Sequence, residues 1–420
     1  MYQSEISSDL RRRSSDPLNR GGGLRGVHRN VWFLGFTSLL TDLSSEMVTA
    51  VLPIYALYFL RLSPAAFGIV DGLQQGGASL VKLASGVLTD RTRRYKTMAG
   101  SGYGASALSR LGLLVAGPSA AWLTPLVALD RVGKGIRTAP RDALISLSVH
   151  RSSLAAAFGV HRTLDTIGAV LGPLLGFVIL SQIRDGYDVV FVISLALAAV
   201  GVAVLVTFVR SPAGISSDTV RAPFSSIWTP SFTRVAASAA ILGVATVSDS
   251  FIYLSLQRTL GFDAAFLPLL YTATPTIYLT LATPFGWIAD RVGIARVIGV
   301  GYFAMLLLYV TLSSAWPATV VGVATVALLG TFYAATDGVF AALASAELAV
   351  ERRATGLATV STLNDAGKMI ASFAFGWLWS TGQPAAAVIE KFQFVLLIAL
   401  AIVAVLLWPL LKRRPAHDHA

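Results

Sequence analysis

GVLTDR, Gly86–Arg91, and GWIADR, Gly286–Arg291, are one six-residue pattern written twice, 200 positions apart. A second pair keeps nearly the same offset: RTLDTIG at Arg162–Gly168 is answered 199 positions later by STLNDAG at Ser361–Gly367. Two motifs in register at almost one offset mark an internal duplication. Composition says what kind of unit is duplicated. Of 420 residues, 55% are hydrophobic and only 13% charged, about half the charged share of a soluble domain. Mean hydropathy is +0.68. Such a chain cannot solvate a globular surface, and it reads as a polytopic membrane protein.

Twelve segments are apolar enough to span a bilayer: 31–60, 65–89, 98–117, 121–145, 153–182, 188–210, 232–257, 264–289, 294–314, 317–346, 353–381 and 388–411. Polar residues interrupt the fourth, fifth and eleventh. Basic residues cluster in the even-numbered loops (Arg91, Arg93, Arg94 and Lys96; Arg210 and Arg221; Arg291 and Arg296) and in both tails. The odd-numbered loops hold few. The positive-inside rule then predicts a multi-pass protein of the inner (cytoplasmic) membrane with both termini cytoplasmic. The expected organisation is a basic cytoplasmic tail (1–30), a six-helix bundle (31–210), a cytoplasmic linker (211–230), a second six-helix bundle (231–411) and a short tail (412–420).

The net charge of +11 is accounted for by these loops, so no nucleic-acid partner is expected. There is no cysteine, which excludes disulfides and thiolate metal sites. Neither G-x-S-x-G nor H-E-x-x-H occurs, and a membrane enzyme is not expected.

Ionisable residues inside the spans are the functional candidates, because each costs about 2.5–3.5 kcal/mol at the bilayer centre unless it faces a cavity or a partner. Asp42 and Glu46 are spaced i,i+4, so both lie on one helix face. Two close carboxylates disfavour joint ionisation, which suits a proton-coupling or cation site. The alternative pairs them with Lys82 or Arg131. His161 and Asp165 repeat the i,i+4 spacing, imidazole with carboxylates suits nickel, cobalt, zinc or iron(II), and with Asp42 and Glu46 they form one site if spans 1 and 5 face each other. In LDRVGKGIRTAPRDAL, Leu129–Leu144, Arg131 and Lys134 sit at bilayer depth, and Asp130 is expected to pair with Lys134. Arg137, Arg141 and Asp142 are expected at the cytoplasmic interface, meeting lipid phosphate or Asp90. Asp365 and Lys368, i,i+3, are expected to pair. Asp249 and Asp337 are the second-half candidates for a cavity or for protonation.

The two loop motifs resemble the signature of the major facilitator superfamily of transporters, G-x-L-a-D-R-x-G-R-[KR], and the likeness extends over residues 30–411. Gly86, Leu88, Asp90, Arg91 and Arg94 match it, with Arg93 where a glycine belongs; Gly286, Asp290, Arg291 and Gly293 match its copy. The resemblance implies an all-α membrane protein of twelve helices in two pseudo-symmetric bundles. It implies alternating access of a small-molecule or ion substrate, without enzymatic activity or cofactor, in a monomer. It also implies a conformational latch at Gly86, Asp90, Arg91, Gly286, Asp290 and Arg291. Gly168, Gly172, Pro173 and Gly176 resemble the fifth-helix motif of proton antiporters, with Phe177 in place of its last glycine, which implies export driven by protons. Plain glycine-mediated packing is the alternative. Arg131 and Gly135 resemble the fourth-helix motif. The string DRVGKGIRTAPRDAL and TDLSSEM, Thr41–Met47, resemble a subgroup that includes NreB-like nickel-resistance exporters, which implies a divalent metal cation as substrate. Competing expectations are an amphiphilic drug or a metallophore, with Phe251, Tyr253, Phe373, Phe375 and Trp377 lining a pocket, and a non-transporting membrane receptor.

Overall fold

A computed structural model describes residues 28–92, 94–149, 153–211, 227–348 and 353–411, and all regular structure among them is helical. Residues 1–27 and 412–420 of the expected tails, 212–226 of the linker and the side chains of Asp90 and Arg91 lie outside the described residues. Among the described residues there are twelve spans: Arg29–Ile54, Pro64–Thr92, Tyr95–Val115, Ala120–Leu147, Leu154–Gln182 and Tyr187–Phe208 in the first bundle, then a broken seventh span, Leu267–Val292, Ile294–Ser313, Ala318–Ala346, Arg353–Ser380 and Ala385–Leu411. Seven of them, spans 5 to 10 and 12, are long and apolar enough by composition alone to cross a membrane. Span 4, with six charges between Asp130 and Asp142, is too polar for that criterion and is helical all the same.

Span 7 consists of two helices, Pro230–Val244 and Asp249–Leu260. Thr229 caps the first by accepting from the Phe232 amide, and Ser248 caps the second by accepting from the Phe251 amide. The four residues between them leave the helical ladder. The Tyr309 hydroxyl anchors this break: the Val247 amide donates to it at 2.8 Å, and it donates to the Ala245 carbonyl at 2.9 Å.

The duplication governs the packing. Span 1 lies on spans 5 and 6, as span 7 lies on 11 and 12; spans 2 and 3 pack on 4, as 8 and 9 pack on 10; span 3 meets 6 as 9 meets 12. Between the bundles, 2 meets 11 and 5 meets 8, which is again one contact related to its copy. These contacts run from mid-depth to the face opposite the chain termini. There Tyr58 donates to Gln257 at 2.7 Å, Phe67 meets Phe251 edge-on at 5.4 Å and Phe177 meets Phe266 at 5.4 Å. At mid-depth Ser79 donates to Asp365, and Thr272 donates to the Val170 carbonyl at 3.4 Å.

The fifth-span glycines are a packing seam. A Cβ at Gly168 would stand 2.6 Å from the Leu39 carbonyl oxygen, and one at Gly172 would stand 2.8 Å from that of Leu43. The copy behaves alike: Gly367 faces the Ala240 carbonyl at 2.7 Å. By contrast a Cβ at Gly286 meets nothing within 4 Å, and one at Gly86 meets only Ala139 at 3.7 Å. The loop-motif glycines therefore do not mediate a close helix approach in this conformation. Gly168→Ala is expected to cost about 1–3 kcal/mol through overpacking, read as a lower melting temperature in detergent. Gly286→Ala should stay within about 0.5 kcal/mol of wild type. Equal losses would remove the seam as the motif's role.

Candidate functional site

Residues 130, 134, 137 and 141 of span 4 recur at intervals of four, three and four, so their four charged side chains share one helix face. That face is turned into the first bundle, and each charge meets a partner there. Asp130 lies between two guanidiniums, Arg110 of span 3 at 2.6 Å and Arg131 at 2.6 Å, all three side chains 8% exposed or less. Arg110 also donates to Ser45 of span 1 at 2.9 Å. One helical turn on, Lys134 faces Glu46 at 3.6 Å. Arg137 reaches Asp42 at 3.4 Å, donates to Ser106 at 2.7 Å and lies over the Tyr103 ring. Arg141 donates to Ser38 at 3.1 Å and stands 3.8 Å from Asp165 and 3.0 Å from Asp142.

The result is a ladder of charge, buried except at the part-exposed Lys134–Glu46 rung, at the junction of spans 1, 3, 4 and 5. Its carboxylate pair is not the one the i,i+4 spacing predicts. Asp42 stands against span 5 across the glycine seam, on the side of Asp165, while Glu46 turns to Lys134. The reason is the seam itself: Gly168 and Gly172 bring span 5 so close to span 1 that Asp165 falls beside Asp42. Two neighbouring carboxyls disfavour joint ionisation.

Several expectations change. Arg137 and Arg141 are not interfacial anchors: their side chains are 2% and 13% exposed and hold Asp42 and Asp165. Asp130 pairs with arginines rather than Lys134, because Arg110 reaches it from the neighbouring helix. Asp365 and Lys368 form no ion pair among the described residues: Asp365 accepts from Ser79 in span 2, and the Lys368 ammonium lies over the Tyr333 ring. Among the described residues no three of His, Asp and Glu gather as a metal-ligand set. His161 is buried one turn from Asp165, its Nε2 without a hydrogen-bond partner there. In the second bundle Asp249 accepts from the Tyr333 hydroxyl at 2.7 Å, beside Lys368, whereas Asp337 is exposed. Asp290 and Arg291 of the expected latch are exposed as well. Of the aromatic candidates, Phe251, Tyr253 and Phe375 are core residues and Trp377 points outward. Tyr271 and Tyr333 of the second bundle are half-buried; Tyr333 lies under the Lys368 ammonium and donates to Asp249, and Tyr271 donates to Ser250. Sequence reasoning misses Asp71 of span 2, which is 1% exposed; it has no charged neighbour at i±3 or i±4 to signal a pair.

Comparison with known proteins agrees with this architecture. The model of the Major Facilitator Superfamily matches residues 34–270 and 236–420. An MFS-type transporter of uncharacterised function from Methanocaldococcus jannaschii is 30% identical over 366 residues, covering 84% of this chain and 89% of its own. An uncharacterised Mycobacterium tuberculosis protein is 33% identical over 162 residues, 37% of this chain and 39% of its own. Among solved structures, a mutant of the nucleoside transporter NupG superposes with a TM-score of 0.74 at 14% identity, covering 92% of this chain and all of that one. A bacterial homologue of the human lysosomal transporter Spinster, inward-facing and occupied, gives 0.71 at 15% identity, covering 92% and 98%. These two likenesses speak for the fold. With its duplicated six-helix bundles, its paired loop motifs and a family match along both halves, the chain belongs to the major facilitator superfamily and is a membrane transporter, not an enzyme.

Proposed function

We propose that this protein is a proton-coupled exporter that moves a small amphiphilic organic solute by alternating access, with Asp42 and Asp165 as its proton-carrying pair. The observation that carries the reading is the pair itself: two neighbouring carboxyls on spans 1 and 5, each facing an arginine of span 4, at 3.4 Å and 3.8 Å. A proton arriving there changes the balance between carboxylates and guanidiniums, and with it the fit of span 5 on span 1. The termini and basic loops lie on the cytoplasmic side in this reading, so the conformation is the one closed to the outside. The first bundle (31–210) and the second (231–411) then rock about the midplane. The resemblance of Gly168, Gly172, Pro173 and Gly176 to the antiporter motif supplies the export direction.

An organic solute is favoured over a divalent metal because Asp42, Glu46 and Asp165 each already face a cation of span 4. A second cation at Asp42 or Asp165 would displace Arg137 or Arg141, whose side chains are 2% and 13% exposed. The second bundle offers Tyr271, Tyr333, Asp249 and Lys368, rings and charges together. This set suits a solute with an apolar body and one charged group.

Everted vesicles with an acidified lumen and a pH-sensitive dye test the reading, with vector-only vesicles as control. Adding lipophilic cations such as tetraphenylphosphonium should release lumenal protons. Release on nickel or cobalt alone would restore the metal. Substrate movement that is indifferent to the pH gradient would remove the proton.

A further inference from the structure

On the face that carries the chain termini, spans 1, 3 and 6 have their ends together, and three cations stand around the last turn of span 6. Asn30 locks span 1 to span 6: its amide donates to the Arg210 carbonyl at 2.9 Å, and the Arg210 amide donates to Asn30 Oδ1 at 2.8 Å. Arg29 and Arg210 therefore leave the backbone at joined points. From span 3, Lys96 Nζ donates to the Val206 carbonyl at 2.7 Å, one turn before Arg210. Lys96 thus meets the negative end of the span 6 helix. The guanidiniums of Arg29 and Arg210 are exposed and make no hydrogen bond or ion pair among the described residues. Nor do their own spans offer a counter-ion: positions 28–41, 94–129 and 189–211 contain no acidic residue.

We propose that Arg29, Lys96 and Arg210 hold the headgroup of an anionic phospholipid, whose acyl chains lie on the aromatic face below them. The charge is complementary: phosphate oxygens accept from guanidinium and ammonium groups alike. The depth is that of lipid headgroups, because the three helices end here. Below the cations the surface turns apolar at once. Phe208 of span 6 stacks on Phe33 of span 1 at 4.9 Å, and the Arg29 guanidinium lies over the Phe33 ring at 5.1 Å. On the same two spans Phe36 and Val206 are exposed. A soluble anion would use the cations alone. A cationic rim continuous with an exposed apolar face fits a molecule that is charged at one end and hydrocarbon at the other.

The second bundle shows what the same ends look like without this arrangement. Two hundred positions on, Thr229 and Pro230 stand where Arg29 and Asn30 stand, and Thr229 caps its own helix. Lys96 becomes Arg296, which donates to the Val292 carbonyl of the helix just before it at 2.7 Å. Basic residues that only oriented the chain would serve equally in either bundle, whereas convergence of cations from spans 1, 3 and 6 on one helix end belongs to the first. A lipid held there ties span 1 to spans 3 and 6. All three lie in one bundle, so the lipid stays bound as the two bundles rock. The site is distinct from the Asp42–Asp165 pair and does not depend on it.

The test uses the purified full-length chain in detergent at fixed ionic strength, its eight tryptophans reporting unfolding. Phosphatidylglycerol titrated into the micelles should raise the melting temperature saturably, and phosphatidylcholine with the same acyl chains should not. Arg29→Gln and Arg210→Gln change exposed side chains, so both variants should fold. Each should raise the half-saturating phosphatidylglycerol fraction about fivefold, the effect of one basic residue at a lipid surface. Arg296→Gln, the control in the second bundle, should leave it unchanged. No rise with phosphatidylglycerol, or an equal rise with phosphatidylcholine, overturns the headgroup's role. An equal rise with inorganic phosphate overturns the lipid. Unchanged half-saturation in both Arg29→Gln and Arg210→Gln, or an equal weakening in Arg296→Gln, overturns the site. Because no proton gradient is present, that failure would leave the proton pair standing.

Discussion

Asp130→Asn is expected to destabilise the folded protein by about 3–5 kcal/mol, the cost of leaving buried charge unpaired. The carboxylate is the shared counter-ion of Arg110 and Arg131, whose side chains are 3% and 8% exposed. Neither guanidinium has another acidic contact at salt-bridge distance among the described residues. Arginine does not relieve the strain by losing its proton. The control lies on the same helix: Asp142, with a side chain 40% exposed, also pairs with an arginine, and Asp142→Asn should cost no more than about 1 kcal/mol. Thermal unfolding in detergent separates the two. Adding Arg110→Met to Asp130→Asn leaves one orphaned guanidinium instead of two and should recover part of the loss. Strictly additive losses would show that Arg110 and Asp130 do not act as a pair.

How much of this was legible follows from which interactions are local. Helix count and the duplication are written in hydropathy and in two repeated motifs, and both survive in the packing. The charge ladder was half legible. Spacing places Asp42 and Glu46 on one face of span 1, and so they are. Partner choice is made across helices, however, by Arg110, Lys134, Arg137 and Asp165, at separations that no i,i+4 rule contains. Arg137 and Arg141 misled for a related reason. Charges within about two turns of a predicted span end read as interfacial, but span 4 continues to Leu147 and turns its charged face inward. Asp71 was the least legible, since its neighbours come from spans 7 and 11, well over 150 positions away.

The duplication also shows where the halves have parted. Gly168 on span 1 and Gly367 on span 7 are equivalent seams. At the first seam stand Asp42 and Asp165. At the second, Gly243 packs against the Asn364 carbonyl, and the Asn364 amide donates to Ala239 at 3.0 Å. The scaffold is repeated, but its ionisable pair is kept in one copy only. A purely structural need for carboxylates at the seam would have applied to both. Their presence in one half accords with the proposed coupling site rather than with a packing device.

Asp42→Asn and Asp165→Asn should each reduce proton-driven transport at least about a hundredfold, and the double replacement should be no worse than either alone. The argument rests on the shared proton. If one proton is held between two carboxyls, removing either carboxyl removes the whole site, and losses within such a unit do not add. Downhill substrate exchange, which moves no net proton, should survive in both variants and shows that they fold. Glu46→Gln is the discriminating comparison. Spacing alone would pair Glu46 with Asp42 and predict an equal loss. The structure turns Glu46 to Lys134, 3.6 Å away and part-exposed, so Glu46→Gln should alter the apparent affinity for substrate while transport still responds to the pH gradient. Equal losses in Glu46→Gln and Asp42→Asn, with Asp165→Asn near wild type, would return the proton to the face of span 1. Multiplying losses in the Asp42–Asp165 double would make them two independent sites.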